Sequence, residues 1–281
     1  MPELPEVETL RRGLAAHLVG RRICAVEARL AKLVAAGTLA ELEGATVVAV
    51  RRRAKRLLVE TDRATLLVQL SLAGQMALRA ADGATLASGG HPVPAWDAPL
   101  PHRSTHLALR LDDGATLYLT DIRHFARVWV LSAEEAQARL AELGLGPEPL
   151  EEEFTPGVLA AALAGRRAPL KPTLLDQARV AGLGNIYVDE ALWRARLAPA
   201  RAAGELGAEE VARLHAAIRG VLERAVTGGV AQVLDGRAAP GTDFPAVHGR
   251  AGQPCPRCGT PIVKTRLAGR GTYTCPSCQA R

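Results

Sequence analysis

Aromatic side chains are scarce: three each of Phe, Trp and Tyr make up 3% of 281 residues. That excludes a single-strand binder built on successive base-stacking platforms. Long apolar runs are missing too. The longest, Val158 to Gly165, falls far short of the roughly 18 residues that a membrane span needs. The N-terminus carries Glu3, Glu6 and Glu8 and no apolar signal-peptide stretch, so the cytoplasm is the expected compartment. With 27 glycines and 18 prolines, the chain has too little of either for a collagen-like or low-complexity protein. Lysine supplies only four of the 35 cations: Lys32, Lys55, Lys171 and Lys264. Acid is absent from Phe244 to Arg281, where six basic residues stand.

What remains is an ordinary globular composition, 48% hydrophobic and 23% charged. The length predicts two domains with a small third module and a core that needs no disulfides. The net charge is +6, and the pI near 9.4. Such a balance suits a polyanionic partner, although it serves solubility equally well. A second basic cluster, Arg51, Arg52, Arg53, Lys55 and Arg56, adds to the first argument.

Of five cysteines, Cys255, Cys258, Cys275 and Cys278 read C-x2-C, sixteen residues, C-x2-C. That spacing predicts a tetrahedral zinc site, each pair turning two thiolates toward one ion. Disulfides are the competing reading, and a reducing compartment disfavours them. Cys24 lies in an apolar strand-like run and is expected to be a buried small hydrophobe.

Residues 5–19 place Val7, Leu10, Leu14 and Leu18 on one helical face. Short Val/Leu-rich runs follow at 23–30, 45–52, 56–61 and 65–71. A hairpin signature spans 106–120 around Asp112-Asp113-Gly114, and one more strand is predicted at 127–131. Residues 81–104 read as a long surface loop. Strands of this kind bury themselves as a two-layer sandwich. From residue 133 the period becomes helical: 133–143, then 156–165, 173–180, 185–196 and 208–226, with a break at 144–149. Residues 228–247 read as a mobile loop. The cysteine module reads as a β-hairpin with extended runs at 260–265 and 271–274.

Met1-Pro2-Glu3-Leu4-Pro5-Glu6-Val7-Glu8 reads by itself as an ordinary helix start. Together with the four-cysteine module it resembles the bacterial formamidopyrimidine-DNA glycosylase family. Further similar segments follow in order. They are Arg52-Arg53-Ala54-Lys55-Arg56, Asp121-Ile122-Arg123-His124-Phe125, and Leu170-Lys171-Pro172 through Gly182-Leu183-Gly184-Asn185 to Glu190. His248-Gly249-Arg250 comes next, and Arg270 stands five residues before Cys275.

The resemblance implies an α+β multidomain protein with four parts. These are an N-terminal catalytic two-layer β-sandwich with flanking helices (1–132), a linker (133–150), a helical helix–two-turns–helix domain with a lesion loop (151–247) and a C-terminal β-hairpin zinc finger (248–281). It implies base-excision repair by a monomer acting on duplex DNA that contains oxidised bases or abasic sites. No membrane is involved, and the place of action is the bacterial nucleoid. One structural zinc is implied, and no redox or nucleotide cofactor.

The catalytic residues it implies are Pro2, Glu3, Lys55 and Arg270. Those at the DNA are Glu6, Leu72, Arg123, Phe125, Arg167, Lys171 and Asn185. Once Met1 is removed, Pro2 carries a secondary amine. α-Amino groups titrate near ~8 and lysines near ~10.4, so much of this amine is neutral at neutral pH. It can attack the sugar C1′. Glu3 would shuttle a proton, and Glu6 would hold the helix and the amine.

The chain also departs from the family pattern. The family's H-x-G-M-S-G is Gln69-Leu70-Ser71-Leu72-Ala73-Gly74 here, the first His of H-x-H is Ser104, and the Gly after the D-x-R-[RK]-F loop is Ala126. The stretch from Gly229 to Cys255 looks shortened. These departures bear on base preference and leave the amine chemistry intact. Two alternatives stay open. One is an endonuclease VIII-like glycosylase for oxidised pyrimidines, against which Leu4 argues. The other is a non-catalytic zinc-ribbon protein, against which Pro2, Glu3 and Lys55 argue together.

Overall fold

The computed structural model describes residues 2–228, 233–234, 237–238 and 244–280, so most of the predicted mobile loop lies outside the described residues. The chain forms two compact units, Met1–Leu143 and Gly144–Arg281.

The first unit opens with α1 (Leu4–Leu18), in which Val7, Leu10, Leu14 and Leu18 are buried as their spacing predicts. Ten strands follow: β1 (Ile23–Ala28), β2 (Val34–Ala36), β3 (Val47–Arg53), β4 (Arg56–Thr61), β5 (Thr65–Gln69), β6 (Gly74–Arg79), β7 (Thr85–Gly90), β8 (Thr105–Leu111), β9 (Thr116–Asp121) and β10 (Arg127–Leu131). They make two five-stranded sheets, ordered β1-β8-β9-β6-β7 and β2-β10-β5-β4-β3. All pairs are antiparallel except β2 with β10. A single core of Leu, Val, Ile, Ala and Met fills the space between the sheets. Helix α1 packs on β7 and β3, one edge strand from each sheet, and so closes one side of the sandwich.

Three strands of this unit escape the sequence reading: β2, β6 and β7. β7 lies inside the predicted loop 81–104, because its Ser-Gly-Gly end looks like a turn. The glycines there serve packing. A Cβ on Gly89 would stand 2.6 Å from Leu10 Cβ, and one on Gly13 would stand 2.9 Å from Ala87 Cβ. Only bare backbone lets the helix lie this close to the strand. β6 shows no alternation because its first five residues are all buried. Cys24 is exposed rather than buried. It alternates with the buried Ile23 on β1, and period-two geometry turns it outward. Helix α2 (Ala133–Glu142), in the stretch read as a linker, packs on β10 and β5 within the first unit.

The second unit holds α3 (Pro156–Leu163), α4 (Leu170–Leu175), α5 (Asn185–Ala195) and α6 (Ala208–Gly228) around their own core. A two-residue ribbon, β11 (Val233–Leu234) with β12 (Arg237–Ala238), follows. The hairpin β13 (Val263–Leu267) and β14 (Arg270–Thr274) ends the chain and packs on α5. The helix predicted at 173–180 begins earlier and stops at Leu175. Asp176 Oδ1 accepts the Ala178 N–H at 3.0 Å, an aspartate turn that competes with further helix. No described helix is long and apolar enough to cross a membrane.

Candidate active site and nucleic-acid interface

In the first unit the predicted residues sit at the head of α1 and on three strand connections. Pro2 and Glu3 are buried. Glu3 caps α1 in a reciprocal box with Glu6, and the Glu3 N–H donates to Glu6 Oε2 at 2.8 Å. Glu6 thus fixes the backbone next to Pro2. Lys55 occupies the two-residue turn between β3 and β4, after Ala54 in the left-handed region at φ 51°. Leu72 lies between β5 and β6, where it is 41% exposed although apolar.

The third connection, between β9 and β10, presents Ile122 (41% exposed), Arg123 and Phe125 (44% exposed). The Arg123 guanidinium lies 5.1 Å from the centre of the Phe125 ring. Asp121 holds this loop up. Its fully buried carboxylate accepts the N–H of Arg123 at 2.9 Å and those of Phe125 and Ala126 at 2.6 Å. His106 Nε2 lies 2.9 Å from the Asp121 carbonyl oxygen. Leu72 on one connection, and Ile122 and Phe125 on the loop braced by Asp121, are apolar side chains raised into solvent, a form that suits a wedge for a base stack. The sequence pattern singled out Arg123 and Phe125 but not the bracing by Asp121 and His106. A side chain accepting several backbone donors across a loop leaves no periodic signal.

In the second unit the resemblance placed Lys171 at the DNA backbone; the structure places it inside. It is 0% exposed, and its ammonium donates to Asp189 Oδ1 at 2.6 Å and to the Gly271 carbonyl at 2.7 Å. A buried lysine needs such a counter-charge. Asp189 is equally buried. Its Oδ2 lies 2.8 Å from His248 Nδ1 and accepts the Tyr273 N–H at 3.3 Å. Asn185 Nδ2 donates to the same Gly271 carbonyl at 3.0 Å. Lys171 and Asn185 therefore both anchor the start of β14, where Arg270 stands exposed. Arg167 is exposed as well, on the connection between α3 and α4.

Glu190 accepts the N–H groups of Ala246, Val247 and His248 at 2.8 to 2.9 Å. Burial pushes its carboxyl above the usual range, an effect those donors oppose in part.

The charge network predicts its own cost of disruption. Replacing Lys171 by Met should lower the stability of the second unit by about 3–5 kcal/mol, because Asp189 then keeps an uncompensated buried charge. Arg167→Ala, at an exposed position, should change it by less than about 0.5 kcal/mol. Denaturant unfolding of the zinc-loaded protein, followed by tryptophan emission, gives both values.

The four predicted cysteines converge, with all four Sγ atoms within 4.8 Å of one another. Cys255 and Cys278 stand 3.9 Å apart, and Cys258 stands 3.4 Å from both Cys275 and Cys278. Zinc–sulfur bonds of about 2.3 Å in a tetrahedron set sulfurs about 3.8 Å apart, so the cluster fits one ion. It is a structural zinc site, since four cysteines leave no coordination position for a reactant. Trp193 Nε1 of α5 donates to Cys255 Sγ at 3.4 Å, and Arg257 stacks on the Trp193 ring at 4.3 Å.

Models of the formamidopyrimidine-DNA glycosylase N-terminal domain, of its H2TH domain and of a zinc finger found in FPG and IleRS match residues 1–128, 145–234 and 252–281. The formamidopyrimidine-DNA glycosylase of Roseiflexus sp. is 43% identical, over 99% of this chain and 100% of its own. That of Paracoccus denitrificans is 44% identical with the same coverage. The solved Lactococcus lactis enzyme in complex with DNA containing N7-benzyl-Fapy-dG superposes with a TM-score of 0.85 at 33% identity, covering all of both chains. The same enzyme bound to DNA containing an abasic site also gives 0.85 at 33% identity. Family models matching each region in order, and relatives similar from end to end, establish that the chain belongs to the formamidopyrimidine-DNA glycosylase family.

Proposed function

We propose that this protein is a base-excision repair enzyme. It excises oxidised purines, formamidopyrimidines and 8-oxoguanine, from duplex DNA and then cleaves the abasic site. The observation that carries this reading is the end-to-end likeness to an enzyme seen with Fapy-dG DNA and with abasic DNA, joined to a Pro-Glu start in this chain.

The chemistry runs through Pro2. Its amine, freed of Met1, attacks C1′ as the damaged base departs with a proton. Glu3 delivers a proton to the opening sugar ring. The resulting iminium has no nitrogen proton to lose, so it remains a cationic electron sink. Loss of a C2′ proton then expels the 3′ phosphate, and a second elimination expels the 5′ phosphate. Lys55 supplies a cation at the sugar or an adjacent phosphate. Arg270 and Arg167 contact the flanking phosphates, while the Asn185 amide, which donates to the Gly271 carbonyl, steadies β14 beside them. Leu72, Arg123 and Phe125 fill the gap left by the everted base. Lys171 acts one step back, holding β14 and with it Arg270. The place of action is the cytoplasm.

Substrate ranking tests this reading. The region before the zinc module is short and rich in Ala and Gly, which leaves few donors for an everted 8-oxoguanine. One lost hydrogen bond weakens recognition by about 1 kcal/mol. Formamidopyrimidine and abasic sites should therefore react severalfold faster than 8-oxoguanine opposite cytosine in single-turnover assays on matched duplexes. Equal or faster 8-oxoguanine release overturns the ranking, and no release of any oxidised purine overturns the function.

A further inference from the structure

Glu8 belongs to the N-terminal motif but has no part in the chemistry above. It is nonetheless buried one turn into α1, where its carboxylate collects three guanidinium groups. Oε1 accepts from Arg11 Nη2 and Arg12 Nε at 2.8 Å, and Oε2 accepts from Arg11 Nε and Arg52 Nε at 3.0 Å. Burial alone pushes this carboxyl up, but the arginines outweigh it and hold it at about 2. Arg11 and Arg12 come from the same helix. Arg52 comes from β3, is itself buried, and uses a second nitrogen elsewhere: Nη1 donates to the Ala54 carbonyl at 3.1 Å. Ala54 is the left-handed residue of the turn that carries Lys55.

We propose that Glu8 and Arg52 are positioning residues, a two-ended clamp that sets the Lys55 turn against the helix whose first residues follow Pro2. The inference rests on Pro2 and Lys55 acting as assigned above. A planar guanidinium holds two acceptors at a fixed separation, which an ammonium on a flexible stem cannot do. The geometry matters because α1 and the turn belong to separate elements. One planar side chain ties the backbone of the turn at Ala54, the residue before Lys55, to Glu8 on the helix.

The test uses the full-length, zinc-loaded protein and borohydride trapping on abasic duplex at saturating concentration. Arg52→Lys should slow single-turnover trapping at least tenfold while changing duplex affinity less than threefold. Glu8→Gln should do the same, and it carries the test if the lysine variant fails to fold. The decisive comparison is the Lys55→Ala background, in which either substitution should add less than a twofold effect. A wild-type rate in both clamp variants overturns the proposal, and so does an undiminished tenfold loss in the Lys55→Ala background. Absence of any trapped complex with the wild-type protein removes the lyase assignment itself, and the clamp with it.

Discussion

A form of the protein whose Pro2 nitrogen is blocked, by retained Met1 or by acetylation, will lose borohydride trapping on abasic DNA by on the order of 10⁴-fold or more. Removing a catalytic nucleophile has effects of that size elsewhere. The reason is bonding rather than fit. An amide nitrogen has no available lone pair and cannot become an iminium. The processed protein should be trapped in a one-to-one complex whose linkage maps to Pro2. Duplex binding by the blocked form should change little, since the loops and arginines proposed to meet the DNA are untouched. A Pro2→Gly variant keeps a free amine and should retain part of the trapping, which separates loss of the amine from loss of the proline ring. Equal trapping by blocked and processed protein would assign the nucleophile to another residue, with Lys55 the first to examine.

The second large effect concerns the metal. Removing zinc, or replacing Cys258 by Ser, should unfold the hairpin β13–β14 and weaken binding to abasic duplex at least a hundredfold. Metal affinity in small modules of this kind is folding energy, about 10–16 kcal/mol in zinc-finger peptides. Here, among the described residues, the local apolar cluster has four buried members, Val247, Cys255, Ile262 and Cys275, and two of these are ligands. Without the ion nothing of comparable size holds β14, so Arg270 loses its place. The Lys171 and Asn185 bonds to Gly271 are lost with it. The sandwich of the first unit has its own core and should keep its thermal transition. Metal analysis, DNA titration and calorimetry on the same sample decide the matter. Full binding by metal-free protein would refute the structural role.

The zinc site was legible in the sequence because four cysteines at fixed spacing have few other uses in a reducing compartment. Helix α1 was legible from its apolar stripe, and seven of the ten sandwich strands from their Val and Leu runs. β7 was hidden because glycine signals both a turn and a close helix–strand approach, and only the position of Leu10 tells them apart. Lys171 was misplaced for a different reason. Basic residues in a DNA-binding family point to phosphates, but Asp189 lies 18 positions away along the chain, and nothing local links the two. Glu8 stood in plain view within the motif. Its arginines at positions 11 and 12 have helix spacing, yet the partner that matters, Arg52, is 44 residues distant. Long-range polar pairs leave no period to read, while apolar faces and metal knuckles do.

The indole of Trp193 has a use outside DNA chemistry. Its N–H points at a cysteine sulfur and its ring lies under an arginine, so its emission should respond to the state of that sulfur. Of three tryptophans in the chain, Trp96 and Trp129 belong to the other unit. A change in the Trp193 signal over the background of the other two should therefore report the metal without a label. Chelation, oxidation of the thiolates or exchange for another ion would each register as a change in quenching during an ordinary fluorescence titration.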